Sequence, residues 1–219
     1  MANADGNPLY TLLLVGVVAA GAAFLIGKSY ELSKDRIAAN ERARRVASLT
    51  NVLDPALREH DLDIVRLAAT DRELLGTNEP VDVFVASEAG RPVAAIFASV
   101  APDGYNAAIR LLVGVSPAAA LTGVRVDRHR ETPGLGDGID TAKSDWILQF
   151  AGRSLAQPEL ALWAVDKDKG AFDSMTGATV TSRAVVKAVK NTLLYFERHR
   201  DELFAEAART ATIENAEPE

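Results

Sequence analysis

The sequence contains no cysteine among its 219 residues. This absence excludes disulfides, thiolate metal ligands, iron–sulfur clusters held by this chain and cysteine nucleophiles. It does not identify the compartment. A cysteine-free domain is compatible with the reducing cytoplasm and, where the core is large enough, with the periplasm.

Basic residues are outnumbered by acidic ones: the sequence has 24 Lys and Arg and 30 Asp and Glu, which gives a formal net charge of −6. Nucleic-acid surfaces are built from clustered Lys and Arg, so we expect no nucleic-acid partner. The chain also lacks a P-loop, a Gly-x-Ser-x-Gly elbow and a His-Glu-x-x-His zinc motif. Standard NTPase and hydrolase functions are therefore excluded, and we predict no catalytic side chain and no metal site.

Several suggestive features are more typical of ordinary structure than of a site. His60, His129 and His199 are scattered along the chain. The glycines of segment 134–138 have no surrounding strand–loop–helix unit, so a dinucleotide-binding fold is not predicted. Segment 166–170 begins like a calcium loop, but its glycine comes one place early and no glutamate closes it. We interpret it as a solvated turn.

A long apolar run lies near the N-terminus, at residues 9–27, and carries no charge. At about 1.5 Å per helical residue it matches the roughly 30 Å of bilayer hydrocarbon. A cleaved signal peptide usually has a shorter apolar stretch after a basic region, whereas only Asp5 is charged before this run. The pattern predicts a tail at 1–8 and a transmembrane helix at 9–27.

The charges that follow this run bear on its orientation. Six basic residues between positions 28 and 45 favour a cytoplasmic domain by the positive-inside rule. Glu31, Asp35 and Glu41 are interleaved with them, however, and segment 29–48 is typical of a charged helix rather than a basic loop. Charge therefore favours the cytoplasm only weakly.

The remaining chain predicts one α+β domain on a stalk. Residues 28–78 are predicted as a helical stalk and packing helices, with Asp54 as the N-cap of a stretch that reaches Leu75. The α+β domain itself is predicted at residues 79–209, and an acidic, frayed tail at 210–219.

Patterning within this domain predicts an antiparallel sheet packed by helices. Stretches rich in Val, Ile and Ala, separated by turn signals, predict strands at 81–86, 92–100, 107–115 and 121–127. A short helix or turn is predicted at 145–150 and a further strand at 160–165. Apolar residues recur at helical spacing from about 180 to 208, which predicts a long helix with one face against the sheet.

Segment 173–182 places five hydroxyl residues around Gly177, at the predicted start of the long helix. Free backbone N–H groups and the helix dipole make such a place suitable for an anionic group. The alternative is a helix cap with nothing bound, since Ser and Thr are common caps. Segment 133–136, Pro-Gly-Leu-Gly, indicates only that backbone approaches another segment or a flat ligand closely.

Together, in this order and behind one N-terminal span, these segments resemble the FMN-binding domain family. Its members include the RnfG subunit of Rnf electron-transport complexes and the NqrC subunit of the sodium-pumping NADH:quinone reductase. Residues 173–179, Asp-Ser-Met-Thr-Gly-Ala-Thr, match the flavinylation motif Asp-x-x-[Ser/Thr]-Gly-Ala-Thr, and residues 129–136 resemble a second signature near the flavin. The resemblance covers nearly the whole chain, and the compact length favours the RnfG type over the NqrC type.

The resemblance implies that Thr179 carries FMN through a phosphoester, placed there by a separate flavin transferase. It also implies a set of cofactor-binding neighbours in the two segments. In the motif these are Thr176, Gly177, Ala178, Thr181 and Ser182, and in the second signature they are Glu131, Thr132, Pro133, Gly134, Leu135 and Gly136. Of these, Glu131, Thr132 and Leu135 are expected to line the isoalloxazine ring.

The resemblance further implies an electron-carrying subunit of a bacterial inner-membrane translocase that couples NADH/ferredoxin electron transfer to ion movement. Its partners would be the membrane subunits and the Fe–S and flavin subunits of that complex. The domain would face the periplasm, against the weak charge-based orientation. The alternatives are an NqrC-like subunit, or a membrane-tethered sensor or assembly domain without a redox cofactor.

Overall fold

The computed structural model describes residues 12–16, 18–21, 28 and 49–214. Contacts divide the chain into two units, residues 1–47 and residues 48–219. In the first unit, residues 12–16 and 18–21 are helical and their apolar side chains are exposed. No helix in the described ranges combines the length and apolar character that crossing a membrane requires. About half of the predicted span at 9–27 and all of segment 29–48 lie outside the described residues.

The second unit is built on a five-stranded antiparallel sheet in the order β1-β2-β3-β4-β5. Each strand pairs with the next one along the chain, as short connections between sequential strands favour. The four predicted strands are confirmed, and β1 is an addition to them. The strands are β1 Asp63–Asp71, β2 Thr77–Glu88, β3 Arg91–Ala101, β4 Ile109–Val115 and β5 Leu121–Arg128.

The helix predicted from Asp54 to Leu75 is wrong. Asp54 does cap a turn, because its Oδ1 accepts the Ala56 N–H at 2.9 Å, but only a 3-10 turn at Pro55–Leu57 follows. The next residues form β1, in which Val65, Leu67 and Ala69 are buried and their neighbours are exposed. That alternation has the period of a strand, and pairing with β2 overrides the helical propensity of Leu, Ala and Arg.

The predicted strand at 160–165 is also wrong. Residues Leu160–Leu162 form an exposed 3-10 turn, and only Val165 makes a single bridge, to Phe172. The predicted short helix at 145–150 is confirmed as the 3-10 helix Trp146–Phe150.

One long helix, α1, runs over Thr179–Glu214. Its buried face includes Val189, Leu193 and Phe196, and the Phe97 ring of β3 meets the Phe196 ring edge-on at 6.1 Å. The helix begins where the sequence predicted and continues past the predicted end. Residues 210–214, predicted as tail, are helical, and residues 215–219 lie outside the described part.

Both faces of the sheet are covered. Helix α1 packs on one face, and the segment containing Leu49, Val52 and Leu53 packs on the other. The connection from β5 to α1, residues 129–178, has only short 3-10 turns and isolated bridges. Two parts of this connection, the loop at 129–137 and the turn at 166–170, contact the first turn of α1, which positions the candidate site.

Candidate functional site

The first turn of α1 borders a cavity of about 440 Å³. This volume lies within the range of roughly 300–1,000 Å³ typical of small-molecule sites. Both segments singled out in the sequence contribute to it. Its lining consists of Tyr105, Glu131, Thr132, Leu135, Gly136, Lys167, Gly177, Ala178, Thr179, Val180 and Thr181. Two other cavities, of about 470 and 400 Å³, contain none of the predicted site residues.

The start of α1 offers unpaired backbone donors. Within residues 49–214, no group accepts a hydrogen bond from the N–H of Thr179, Val180 or Thr181. These are the orphan donors of a helix N-terminus, where the dipole also favours negative charge. All three residues line the cavity, so the helix start can bind an anionic group there.

The hydroxyl groups around this helix start differ in what they contact. Thr181 and Ser182 are buried, with the Thr181 hydroxyl donating to Glu131 and the Ser182 hydroxyl donating to the Ala178 carbonyl at 3.1 Å. Thr176 is exposed and does not line the cavity. Thr179 is half-buried, lines the cavity, and its Oγ1 accepts a hydrogen bond from Lys167 Nζ at 2.8 Å.

A buried carboxylate connects two loops to the start of α1 on the cavity wall. Glu131 is 4% exposed, accepts the Thr181 hydroxyl on one oxygen, and accepts the Asn106 N–H on the other at 3.1 Å. The Asn106 amide in turn donates to the Arg130 carbonyl at 3.0 Å and to Thr132 Oγ1 at 3.1 Å. These hydrogen bonds therefore hold Glu131 and Thr132, both predicted site residues, against the start of α1.

The glycines of the site allow its two segments to approach closely. A Cβ at Gly136 would lie 2.9 Å from Glu131 Cβ and 3.1 Å from Thr181 Oγ1. Gly177 has a φ of +81°, and a Cβ there would lie 3.0 Å from a Leu135 methyl. Side chains at either position would push the signature loop away from the helix start.

Replacing Glu131 tests whether this network supports the wall. Glu131→Ala leaves the buried Thr181 hydroxyl without its acceptor and also removes the acceptor of the partly buried Asn106 N–H, so we expect a loss of about 2 kcal/mol in the free energy of unfolding. Glu131→Gln keeps one carbonyl acceptor and should lose less. Urea unfolding measures both, with Glu79→Ala, an exposed carboxylate, as a control expected within about 0.5 kcal/mol of the wild type. If Glu131→Ala were as stable as the wild type, the network would not support the cavity wall.

Four residues around the cavity were not predicted from the sequence: Tyr105, Asn106, Lys167 and Val180. Tyr105 is 68% exposed and, with Leu135 and Val180, gives the cavity an apolar rim. Lys167 lies in the segment interpreted as a solvated turn. No periodicity marks them, because they lie in loops or carry side chains common on any surface.

Four predicted residues do not line the cavity: Pro133, Gly134, Thr176 and Ser182. Gly134 has a φ of +76° and its N–H donates to Asp137 Oδ1 at 2.7 Å, so it shapes the loop. Ser182 Oγ accepts the Met175 N–H at 3.0 Å and so shapes the motif segment.

The turn that carries Lys167 is fixed from both sides. Asp166 Oδ1 accepts the Ser174 N–H at 3.0 Å, and Asp168 forms a bidentate pair with Arg183 at 2.6 and 2.7 Å. The Arg183 hydrogen bonds hold the pKa of Asp168 below its usual value, so this pair stays charged at neutral pH. Arg183 lies one helical turn after Thr179, which places Lys167 beside the Thr179 hydroxyl.

Comparisons with known proteins identify the domain. Residues 104–194 match the family model described as the FMN-binding domain. The chain is 39% identical over 197 residues to the G subunit of the ion-translocating oxidoreductase complex of Shewanella baltica, covering 90% of this chain and 89% of the relative. It is 44% identical over 198 residues to the protein of that name from Pseudomonas aeruginosa, covering 90% and 92%. The chain therefore belongs to the family of G subunits of ion-translocating oxidoreductase complexes and contains an FMN-binding domain.

Proposed function

We propose that this chain is an electron-carrying subunit whose FMN is bound covalently, through a phosphoester to Thr179. The observation that carries the proposal is the position of Thr179. It lines the cavity at the start of α1, and its Oγ1 is contacted by a lysine. The other hydroxyls of segment 176–182 are either buried and hydrogen-bonded or outside the cavity.

The residues present fit a flavin phosphate. A phosphate diester keeps one negative charge, which the unpaired N–H groups and the dipole of α1 favour. Lys167 adds a positive charge at the attachment oxygen. The apolar rim formed by Tyr105, Leu135 and Val180 suits a flat aromatic ring system, and the cavity has the size of a small-molecule site.

The flavin supplies the redox chemistry, and the protein supplies position and electrostatics. In this proposal Thr179 fixes the cofactor and takes no part in electron transfer. Glu131 and Thr132 hold the wall against which the ring would lie, and they keep Leu135 and Gly136 near the helix start. Covalent attachment makes loss of the cofactor negligible.

The similar subunits are named for ion-translocating oxidoreductase complexes. We therefore place this chain in such a complex, where it exchanges electrons with neighbouring subunits during NADH/ferredoxin electron transfer coupled to ion movement. The apolar run at 9–27 would anchor it in the bacterial inner membrane, with the domain on the periplasmic side. The other proteins of the complex and a flavin transferase for maturation are its expected partners.

Mass spectrometry tests the attachment directly. Full-length protein produced with a flavin transferase should gain the mass of one FMN less one water, and its band should fluoresce under ultraviolet light after denaturation. Trypsin should place the added mass on the peptide Gly170–Arg183, and fragmentation should assign it to Thr179. A bare-polypeptide mass in protein from a flavin-transferase-containing host would overturn the proposal and favour the cofactor-free alternative.

A further inference from the structure

We infer that Lys167 is a positioning residue for covalent attachment at Thr179, an inference that rests on the proposed function. Its Nζ donates a hydrogen bond to Thr179 Oγ1 at 2.8 Å, and both residues line the same cavity. Neither the match to the FMN-binding domain nor the flavinylation motif assigns a role to this lysine.

The contacts of Lys167 distinguish it from an ordinary surface lysine. In the described part of the chain its ammonium forms no ion pair within 4.0 Å, and its one hydrogen bond goes to the Thr179 hydroxyl. The acids on either side of it are engaged elsewhere, with Asp166 accepting backbone N–H groups and Asp168 paired with Arg183. The charge of Asp166 still interacts with that of Lys167, but no carboxylate of the described residues lies within 4.0 Å of the ammonium, so the turn presents a cation to the attachment oxygen.

The positive charge of Lys167 would assist attachment at Thr179 in two ways. When Oγ1 attacks the flavin-side phosphorus of a pyrophosphate-activated flavin, such as a flavin dinucleotide, the Oγ1–P bond forms and the bond to the second phosphate breaks. The second nucleotide leaves as a nucleoside monophosphate with the electron pair, and the hydroxyl proton passes to a base of the transferase. A hydrogen bond from Lys167 lowers the cost of losing that proton, and its charge then offsets the diester anion.

The test measures the rate of flavin incorporation into the full-length chain by a flavin transferase, followed by intact mass and by fluorescence of the denatured band. Lys167→Met keeps an unbranched side chain of similar length and removes the charge and the donor, so we expect the initial rate to fall about tenfold or more. Lys167→Arg keeps a cationic donor and should restore most of the rate.

Lys169→Met is the matched control, because this lysine lies in the same turn, is exposed and does not line the cavity. It should label at the wild-type rate. The thermal unfolding midpoint of the unlabelled Lys167→Met protein should match the wild type, since the side chain is exposed.

The outcomes separate this inference from the proposed function. If the wild type accepts no flavin at all, the proposed function fails. If the wild type is labelled and Lys167→Met is labelled equally fast, only the positioning role fails. The positioning role is also overturned if Lys167→Arg is as slow as Lys167→Met, or if Lys169→Met is slowed to the same extent.

Discussion

Thr179→Ala is expected to abolish covalent flavin completely. The substitution removes the oxygen that would form the phosphoester, and the two other hydroxyls on the first turn of α1 are already buried and hydrogen-bonded. Thr181 Oγ1 is buried against Glu131, and Ser182 Oγ is buried between two backbone groups. Co-production with a flavin transferase should yield a polypeptide of unmodified mass whose denatured band does not fluoresce.

The fold should survive this substitution. Thr179 is half-buried, and its side chain makes only the hydrogen bond from Lys167, so unfolding stability should change by less than about 1 kcal/mol. Thr141→Ala is the control, since Thr141 is an exposed threonine outside both the motif and the cavity, and it should keep flavin on Thr179. Flavin found on any residue of Thr179→Ala would move the attachment site and remove the basis of the proposal.

Much of the sheet could be predicted from the sequence, because both residue composition and turn signals indicate strands β2 to β5. Strands β2 to β5 combine Val, Ile and Ala with clear turn signals, and both faces of the sheet are covered, so the apolar runs are long. Strand β1 was missed because its composition favours helix, and only pairing with β2 decides its structure. The stretch 160–165 was misread for the opposite reason: its apolar residues resemble a strand but find no partner strand.

The site could be predicted only where a local motif defines it. The flavinylation motif located Thr179 at the start of a helix, and the second signature located Glu131 and Gly136 beside it, as the structure shows. Tyr105 and Lys167 come from other loops, and their approach to Thr179 depends on contacts such as the Asp168–Arg183 pair. Residues brought together by tertiary contacts of this kind form no recognisable pattern in the sequence.

Family membership is the best supported of the functional predictions. The resemblance to RnfG is confirmed by relatives that match about nine-tenths of the chain, and FMN binding is supported by the domain match at 104–194. The phosphoester at Thr179, the periplasmic orientation and the membrane span at 9–27 remain predictions. The phosphoester can be tested independently of the other two, whereas the periplasmic orientation depends on the membrane span.

Gly170→Ala is expected to destabilise the domain severely, although it adds one methyl group. A Cβ at this position would lie 1.8 Å from the Ala164 carbonyl oxygen and 2.1 Å from its carbon, and both are backbone atoms that cannot rotate away. The turn must open to admit it. Opening breaks the hydrogen bond from the Gly170 N–H to Val165 and the one from the Phe172 N–H to Ala164, which close the turn at 2.9 and 3.2 Å.

The damage would reach both the core and the site. Phe172 is 1% exposed and stacks on Phe150 with ring centroids 5.0 Å apart, so a displaced turn disturbs that packing. We expect a loss of about 3 kcal/mol or more in urea unfolding, and slower flavin incorporation because Lys167 moves with the turn. Gly152→Asn is the control, since Gly152 has a φ of +76° and open space around its Cβ position, and Asn tolerates that conformation. If Gly170→Ala were as stable as this control, the close approach of the turn to Ala164 would be wrong, and with it the rigid placement of Lys167 beside Thr179.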